Sequence, residues 1–284
     1  MLTIEAPAKI NLTLEVLGKR VDGYHEIRSM IQTINFCDSL QITQNKEVRF
    51  KSNKSVWSGE QSLVAKAVKL LQAATGSTQG ASIKIKKCLP LISGLGGDSS
   101  DAAAVLRGLN QLWELGLSTT KLQALTQQLG SDVSFFLSGG TALMEGRGEK
   151  VTPLPPLPHQ WIILIIPDVP RLPGKTKRVY SMLRPSHYTD GKITEKLITF
   201  LKSGGEFSSS LLYNVFENVV FGSGEELTIL RDHLLKIGAP NIHLAGSGPT
   251  MFTLLEDKSQ AEDLLVRLKN QRIEAFLTET RNSL

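Results

Sequence analysis

The stretch from Pro90 to Ala104, PLISGLGGDSSDAAA, holds residue types that can bind phosphate. Gly94, Gly96 and Gly97 let the backbone take positive φ and approach a ligand with no Cβ in the way. Ser99 and Ser100 offer hydroxyls where a helix would begin with its first N–H groups unpaired. Those amides, together with the positive end of a helix dipole, make a site for phosphate. An ordinary connection is the plainer alternative, with Asp98, Ser99 or Ser100 as the helix cap. Three glycines, two serines and a long following helix favour the phosphate reading.

Neither of the two commonest nucleotide motifs fits. A GxGxxG frame from Gly94 and Gly96 puts Ser99 where the third glycine belongs. The stretch also lacks the lysine of a Walker A loop. Gly174-Lys175-Thr176 imitates that motif, but Val169 stands where the first glycine of GxxxxGK[ST] is needed, and Pro170 and Pro173 stiffen the segment. The Walker A reading is rejected.

Three further places carry reactive groups. In Lys9-Ile10-Asn11-Leu12 apolar and polar residues alternate, so Lys9 and Asn11 share one face of a half-buried strand. By itself Lys9 reads as a solvated sheet lysine. The turn Val21 to His25, signalled by Asp-Gly, presents Tyr24 and His25 at its tip. In Ser131-Asp132-Val133-Ser134-Phe135-Phe136-Leu137 one acid stands just outside an aromatic cluster. Spacing leaves two roles open for Asp132, the cap of a short helix or a catalytic acid.

The elements that must position these groups follow from periodicity. Residues 2–17 read as strands, and residues 26–50 as two or three more. A helix is predicted over Ser62 to Ala74. Ser82 to Lys87 alternates as a strand, and the helix after the glycines runs to about Leu115. Thr119 or Thr120 can cap a further helix that ends at Gly130. Thr141 to Val151 reads as a hairpin, and Pro153, Pro155, Pro156 and Pro158 then break regular structure. A domain boundary is placed there, giving units 1–152 and 153–284. In the second unit Trp161 to Ile166 is a buried strand, and helices are predicted at 175–184, 192–202, 208–220, 224–237 and 258–270. A second glycine turn, Gly246-Ser247-Gly248, precedes a strand at 250–255, and a strand at 273–279 closes the chain. The class is α+β, helices layered on mostly antiparallel sheet.

Composition bounds the function. A length of 284 residues suggests two domains, and 41% apolar with 21% charged residues is globular composition. The longest apolar runs, such as WIILII, are too short to span a bilayer, and the opening MLTIEAPAKINL lacks the basic, apolar and small-residue order expected of a signal peptide. Cys37 and Cys88 make no metal pattern and suggest a reduced interior, so a cytoplasmic protein is expected. A net charge of +5 suits an anionic substrate. Lysine and arginine are spread without a basic stripe, which argues against nucleic acid.

Four stretches together resemble one family. PAKINLTLEVLGKRVDGYHE (7–26), PLISGLGGDSSDAA (90–103), LGSDVSFFLSGGTALMEGRGEKVTPL (129–154) and LAGSGPT (244–250) are similar to the GHMP small-molecule kinases. The PAKIN opening and the DGYH turn separate the chain from the homoserine and mevalonate kinases of that family. They point to members acting on a cytidine-diphosphate-linked methylerythritol. The resemblance implies a two-domain GHMP kinase fold, with a ribosomal-protein-like N-terminal domain and an α/β-sandwich C-terminal domain. It implies ATP and Mg2+ as cofactors and γ-phosphate transfer to the substrate's 2-hydroxyl, a step of isoprenoid precursor synthesis. No membrane or nucleic-acid partner is implied, and a monomer or weak homodimer is expected.

The resemblance also implies roles. Lys9 and Asp132 fall on the catalytic lysine and aspartate. Pro90, Leu91, Ile92, Ser93, Gly94, Leu95, Gly96, Gly97, Asp98, Ser99 and Ser100 would hold ATP. Asn11, Tyr24, His25, Tyr180, Gly246 and Ser247 would hold the substrate, with Tyr24, His25 and Tyr180 around cytosine. No protein residue is assigned to the metal. The sequence departs from the family at Asp98 (usually glycine), Ser93 (usually alanine), Ser134 (usually proline) and after Asn214, where Val215 replaces an aspartate. Two alternatives stand beside this reading: a GHMP kinase for homoserine or mevalonate, and a non-catalytic nucleotide- or RNA-binding protein on the same fold. The DGYH turn argues against the first, and the lysine–aspartate pair against the second.

Overall fold

The computed structural model describes residues 1–171, 173–204, 207–223 and 225–284. Its backbone is a long antiparallel pair, β1 (Leu2–Lys19) and β2 (His25–Asn45), joined by the Asp-Gly turn. Residues 2–17, read as strands, form the one strand β1, whereas residues 26–50 do give two, β2 and the start of another at Arg49. Register shifts at Pro7/Ala8, Asn11/Thr13 and Val16/Gly18 bend the pair without ending its ladder. β3 (Arg49–Ser52) and β4 (Gly80–Lys86) extend one side. On the other part of β2 lies the hairpin β5 (Thr141–Gly146) and β6 (Lys150–Pro153). The seventh strand, β8 (Tyr213–Asn214), comes from the second half of the chain and pairs with β1 in parallel.

The second sheet is β11 (Ala275–Glu279), β7 (Trp161–Ile165), β10 (Met251–Leu255) and β9 (His243–Leu244), in that order and antiparallel throughout. The continuous apolar run of β7 is explained by burial on both faces. Ile163 and Ile165 pack with Leu264 and Leu268 of the helix α9 (Lys258–Asn270). Ile162 and Leu164 pack with Ala8, Ile10 and Leu12 of β1. One hydrophobic cluster is therefore shared by the two sheets. β1 is likewise covered on both sides, so Ala6 through Val16 are all buried, polar residues included. The alternation that predicted a half-buried strand does mark two faces, but neither is wet.

The remaining helices are α1 (Leu63–Thr75), α2 (Gly97–Leu112), α3 (Thr119–Thr126), α4 (Ser131–Phe135), α5 (Lys175–Met182), α6 (Lys192–Ser203), α7 (Glu217–Ser223) and α8 (Glu225–Lys236). Ser62 and Ser118 cap α1 and α3 through their side chains, so the predicted cap at Thr119 or Thr120 lies one residue earlier. α6 docks on β1, where buried Glu15 accepts the Thr194 amide at 2.7 Å and Thr13 and Thr194 share a hydroxyl contact of 2.8 Å. The helix predicted over 208–220 is instead a 3₁₀ turn (Ser209–Leu211), β8 and the start of α7. A tertiary contact overrides its helical periodicity: the Asn214 side chain accepts from the Phe216 amide and donates to the Leu244 and Gly246 carbonyls. Gly224, the first residue of the helix predicted at 224–237, lies outside the described residues.

Candidate active site

The glycine stretch forms the connection from β4 to α2. Its helix is capped by Gly96 at φ 77° and not by Asp98, Ser99 or Ser100, and no side chain occupies the cap. The first-turn amides are left for another acceptor. The loop is held from two sides. Lys9 of β1 donates its backbone N–H to the Leu95 carbonyl at 2.9 Å, and Thr250 donates to the Ser93 carbonyl at 3.3 Å. Glycine is required where the loop meets the second glycine turn: a Cβ on Gly94, at φ 87°, would lie 1.9 Å from the Ala245 carbonyl oxygen. Pro90 through Gly94, Gly96 through Ser99 and Lys87 line a cavity of about 140 Å³ on this loop. Leu95 and Ser100 point inward and are buried. Among the described residues the Ser100 hydroxyl has no hydrogen-bond partner.

Lys9 stands beside that loop, 6% exposed. Its ammonium donates to Asn11 Oδ1 at 2.8 Å, Asn11 donates to Ser29 Oγ at 2.9 Å, and Ser29 donates to the Thr13 carbonyl at 2.6 Å. This chain locks both side chains on one face of the bulged strand. Burial lowers the Lys9 pKa, while the nearby Asp132 charge opposes that shift. Asp132 Oδ2 is 3.9 Å from Lys9 Nζ. α4 presents the acid by sinking Val133, Phe135 and Phe136 into the core. Gly130 is the N-cap of α4, and Asp132 lies in its first turn, so of the two roles left open the cap is not taken. Ser134, in the family's proline position, shares a buried hydroxyl contact of 2.8 Å with Thr126.

Gly246 and Ser247 belong to the same assembly. A Cβ on Gly246 would lie 3.2 Å from Lys9 Nζ, and Ser247 Oγ is 3.0 Å from Thr176 Oγ1 of α5. Further along α5, Tyr180 is pushed up to about 12 by burial, with the Asp132 charge adding to the shift. His25 stacks on Tyr180 with ring centroids 5.0 Å apart and meets Tyr188 edge-on at 6.1 Å. Burial, then the charge of Lys19, lower the His25 pKa and favour the neutral ring. Tyr24 is 58% exposed at the turn tip, with the Arg147 guanidinium 4.8 Å above its ring. The fold thus gathers Lys9, Asn11, Asp132, both glycine turns and the His25–Tyr180 stack, and leaves Tyr24 on the open rim.

Sequence reasoning missed a buried cluster beneath the loop. Lys87 Nζ is 2.7 Å from Asp38 Oδ2, 2.8 Å from Asp101 Oδ2 and 3.6 Å from Asp98 Oδ1. Asp38 also accepts the Cys88 and Leu89 amides at 2.6 and 2.8 Å, which fixes the entry to the loop. Asp98, the acid at the loop's edge, therefore faces a lysine. The signal was faint: Lys87 ends an alternating strand, and Asp101 sits on what becomes the inner face of α2. Asn214 was missed as the tie between β8 and the second glycine turn, since its partners are 30 and 32 residues away.

Such a site can bind a phosphate chain on bare amides, orient a hydroxyl between an acid and an ammonium, and hold a flat ring nearby. Comparisons with known proteins agree in kind. The GHMP kinases N terminal domain matches residues 62–140 and the GHMP kinases C terminal domain matches residues 196–274. A 4-diphosphocytidyl-2-C-methyl-D-erythritol kinase of Dehalococcoides mccartyi is 48% identical over 280 residues, covering 99% of this chain and 98% of its own. The protein of the same name from Bacillus cereus is 39% identical, covering 94% of this chain and 93% of its own. The crystal structure of a 4-(cytidine 5'-diphospho)-2C-methyl-D-erythritol kinase superposes with a TM-score of 0.83 at 31% identity, over 98% of this chain and 99% of that one.

Proposed function

This chain belongs to the GHMP kinases, and among them to the 4-diphosphocytidyl-2-C-methyl-D-erythritol kinases, and from that we propose how its own residues carry out the transfer. ATP lies along the 90–100 loop, its phosphates on the first-turn amides of α2. The substrate's cytosine lies at the DGYH turn against His25, Tyr24 and Tyr180, and its 2-hydroxyl reaches Asp132. Asp132 accepts the hydroxyl proton as the oxygen attacks the γ-phosphorus and ADP leaves. Lys9 orients Asp132 and stabilises the negative charge on the phosphoryl group in transfer. Asn11 fixes Lys9 and offers its amide to a substrate hydroxyl. A bound Mg2+ would supply charge neutralisation on the triphosphate. The buried Ser100 hydroxyl at the start of α2, without a hydrogen-bond partner among the described residues, would hold that ion.

The observation that carries this reading is the pairing of Lys9 with Asp132 between the two glycine turns. Asp132→Asn keeps the shape and removes the base. Its kcat for ATP-dependent ADP release falls about a hundredfold to ten-thousandfold. A variant with near-normal kcat would take Asp132 out of that role.

A further inference from the structure

The Gly174-Lys175-Thr176 run fails the Walker A pattern but reaches the second glycine turn. Lys175 opens α5 behind Gly174, which sits at φ 75° with no side chain capping the helix. The Lys175 ammonium is buried and makes no hydrogen bond among the described residues. A Cβ on Gly248 would lie 3.3 Å from it, so the ammonium rests against bare backbone of the turn. Lys9 approaches the other end of the turn, at Gly246. Two ammonium groups therefore attend Gly246-Ser247-Gly248, and they differ in one respect. Lys9 has Asn11 and Asp132 as partners, whereas Lys175 has none among the described residues, and burial with the charge of Arg171 pushes its pKa down to about 8. Burying a cation without a counter-charge is unfavourable, and a folded chain retains such a group where an anion arrives. A compact ammonium beside open backbone suits a phosphate oxygen.

We infer that Lys175 is a phosphate-binding residue of the transfer site, taking an oxygen either from the ATP chain or from the diphosphate of the alcohol substrate. The inference deepens the kinase reading and rests on it. It is tested by titrating wild type, Lys175→Met and Lys175→Arg calorimetrically with ADP and with cytidine diphosphate, alongside turnover with ATP and the cytidine-diphosphate methylerythritol. Lys175→Met should weaken binding of one diphosphate about tenfold or more, the worth of a charge-assisted hydrogen bond, and Lys175→Arg should recover much of that loss. The thermal midpoint of Lys175→Met should equal or exceed that of wild type, because no structural partner is lost. Weaker cytidine diphosphate assigns the oxygen to the substrate, and weaker ADP assigns it to the nucleotide. A fall in kcat with both affinities intact assigns it to the phosphoryl group in transfer. Unchanged affinities and kcat, or a lowered midpoint, would overturn the inference. Affinities that depend on Lys175 in a wild type without turnover would leave the phosphate site standing and defeat the kinase reading instead.

Discussion

Lys87 lies under the glycine loop with more acid around it than one ammonium can neutralise. Burial alone would lower its pKa, but Asp101 and Asp38 outweigh that and raise it. Burial pushes Asp101 up to about 7, with Lys87 pulling the other way and Asp38 adding to the rise. A carboxyl raised in this way holds a proton in the folded chain that the unfolded chain has already released, so it costs stability as pH climbs from about 4 to about 7. The difference between the thermal midpoints of Asp101→Asn and wild type should therefore grow in the variant's favour across that interval, and a flat difference would contradict the raised carboxyl. Lys87→Met strands the acids and should lower stability by about 3–5 kcal/mol in denaturant titration, the usual result of breaking a buried ion pair from one side. On the rim, Tyr24→Ala should raise KM for the cytidine substrate about 5- to 150-fold, since a base–aromatic stack is worth about 1–3 kcal/mol. KM for ATP should stay nearly unchanged. Equal effects on both would remove Tyr24 from the cytosine site.

At the scale of elements, the site depends on the contact of two glycine turns. Gly94→Ala would drive a Cβ into the Ala245 carbonyl, 1.9 Å away, at a φ of 87° that alanine tolerates poorly. The turns must separate by about an ångström, a misplacement that costs about a hundredfold in kcat/KM. Steady-state kinetics with ATP varied checks this, and wild-type kinetics would show that the contact does not align the phosphates. The loop itself was legible in the sequence because strand, glycines and helix are contiguous there. The shared face of Lys9 and Asn11 was legible too, two residues apart on one strand, but the burial of Lys9 was not, and spacing placed Asp132 beside its aromatic anchors without deciding its role. The Lys87 cluster was not legible, because Asp38 and Lys87 meet only when β2 pairs with β4. Nor was β8, where a helical period in 208–220 gave way to the side-chain bonds of Asn214. Lys175 was visible only as part of a motif that did not fit.

Across the whole molecule, the proline-rich stretch suggested a boundary near residue 153, yet Ile162 and Leu164 of β7 share a core with Ile10 and Leu12 of β1. β8 also adds a strand from the second half to the first sheet. The two halves should therefore unfold in one cooperative step. Circular dichroism and the fluorescence of Trp57, Trp113 and Trp161 should give coincident transitions, and two separated midpoints would contradict a shared core. That core explains why residues from both halves, Lys9 and Asp132 with Gly246 and Tyr180, converge on one site. What the site acts on is tested most directly by ATP-dependent ADP release with four alcohols: the cytidine-diphosphate methylerythritol, free methylerythritol phosphate, mevalonate and homoserine. Turnover with the first alone is predicted, because the other three bring no base to the DGYH turn. Turnover with mevalonate or homoserine, and none with the cytidine compound, would contradict the account.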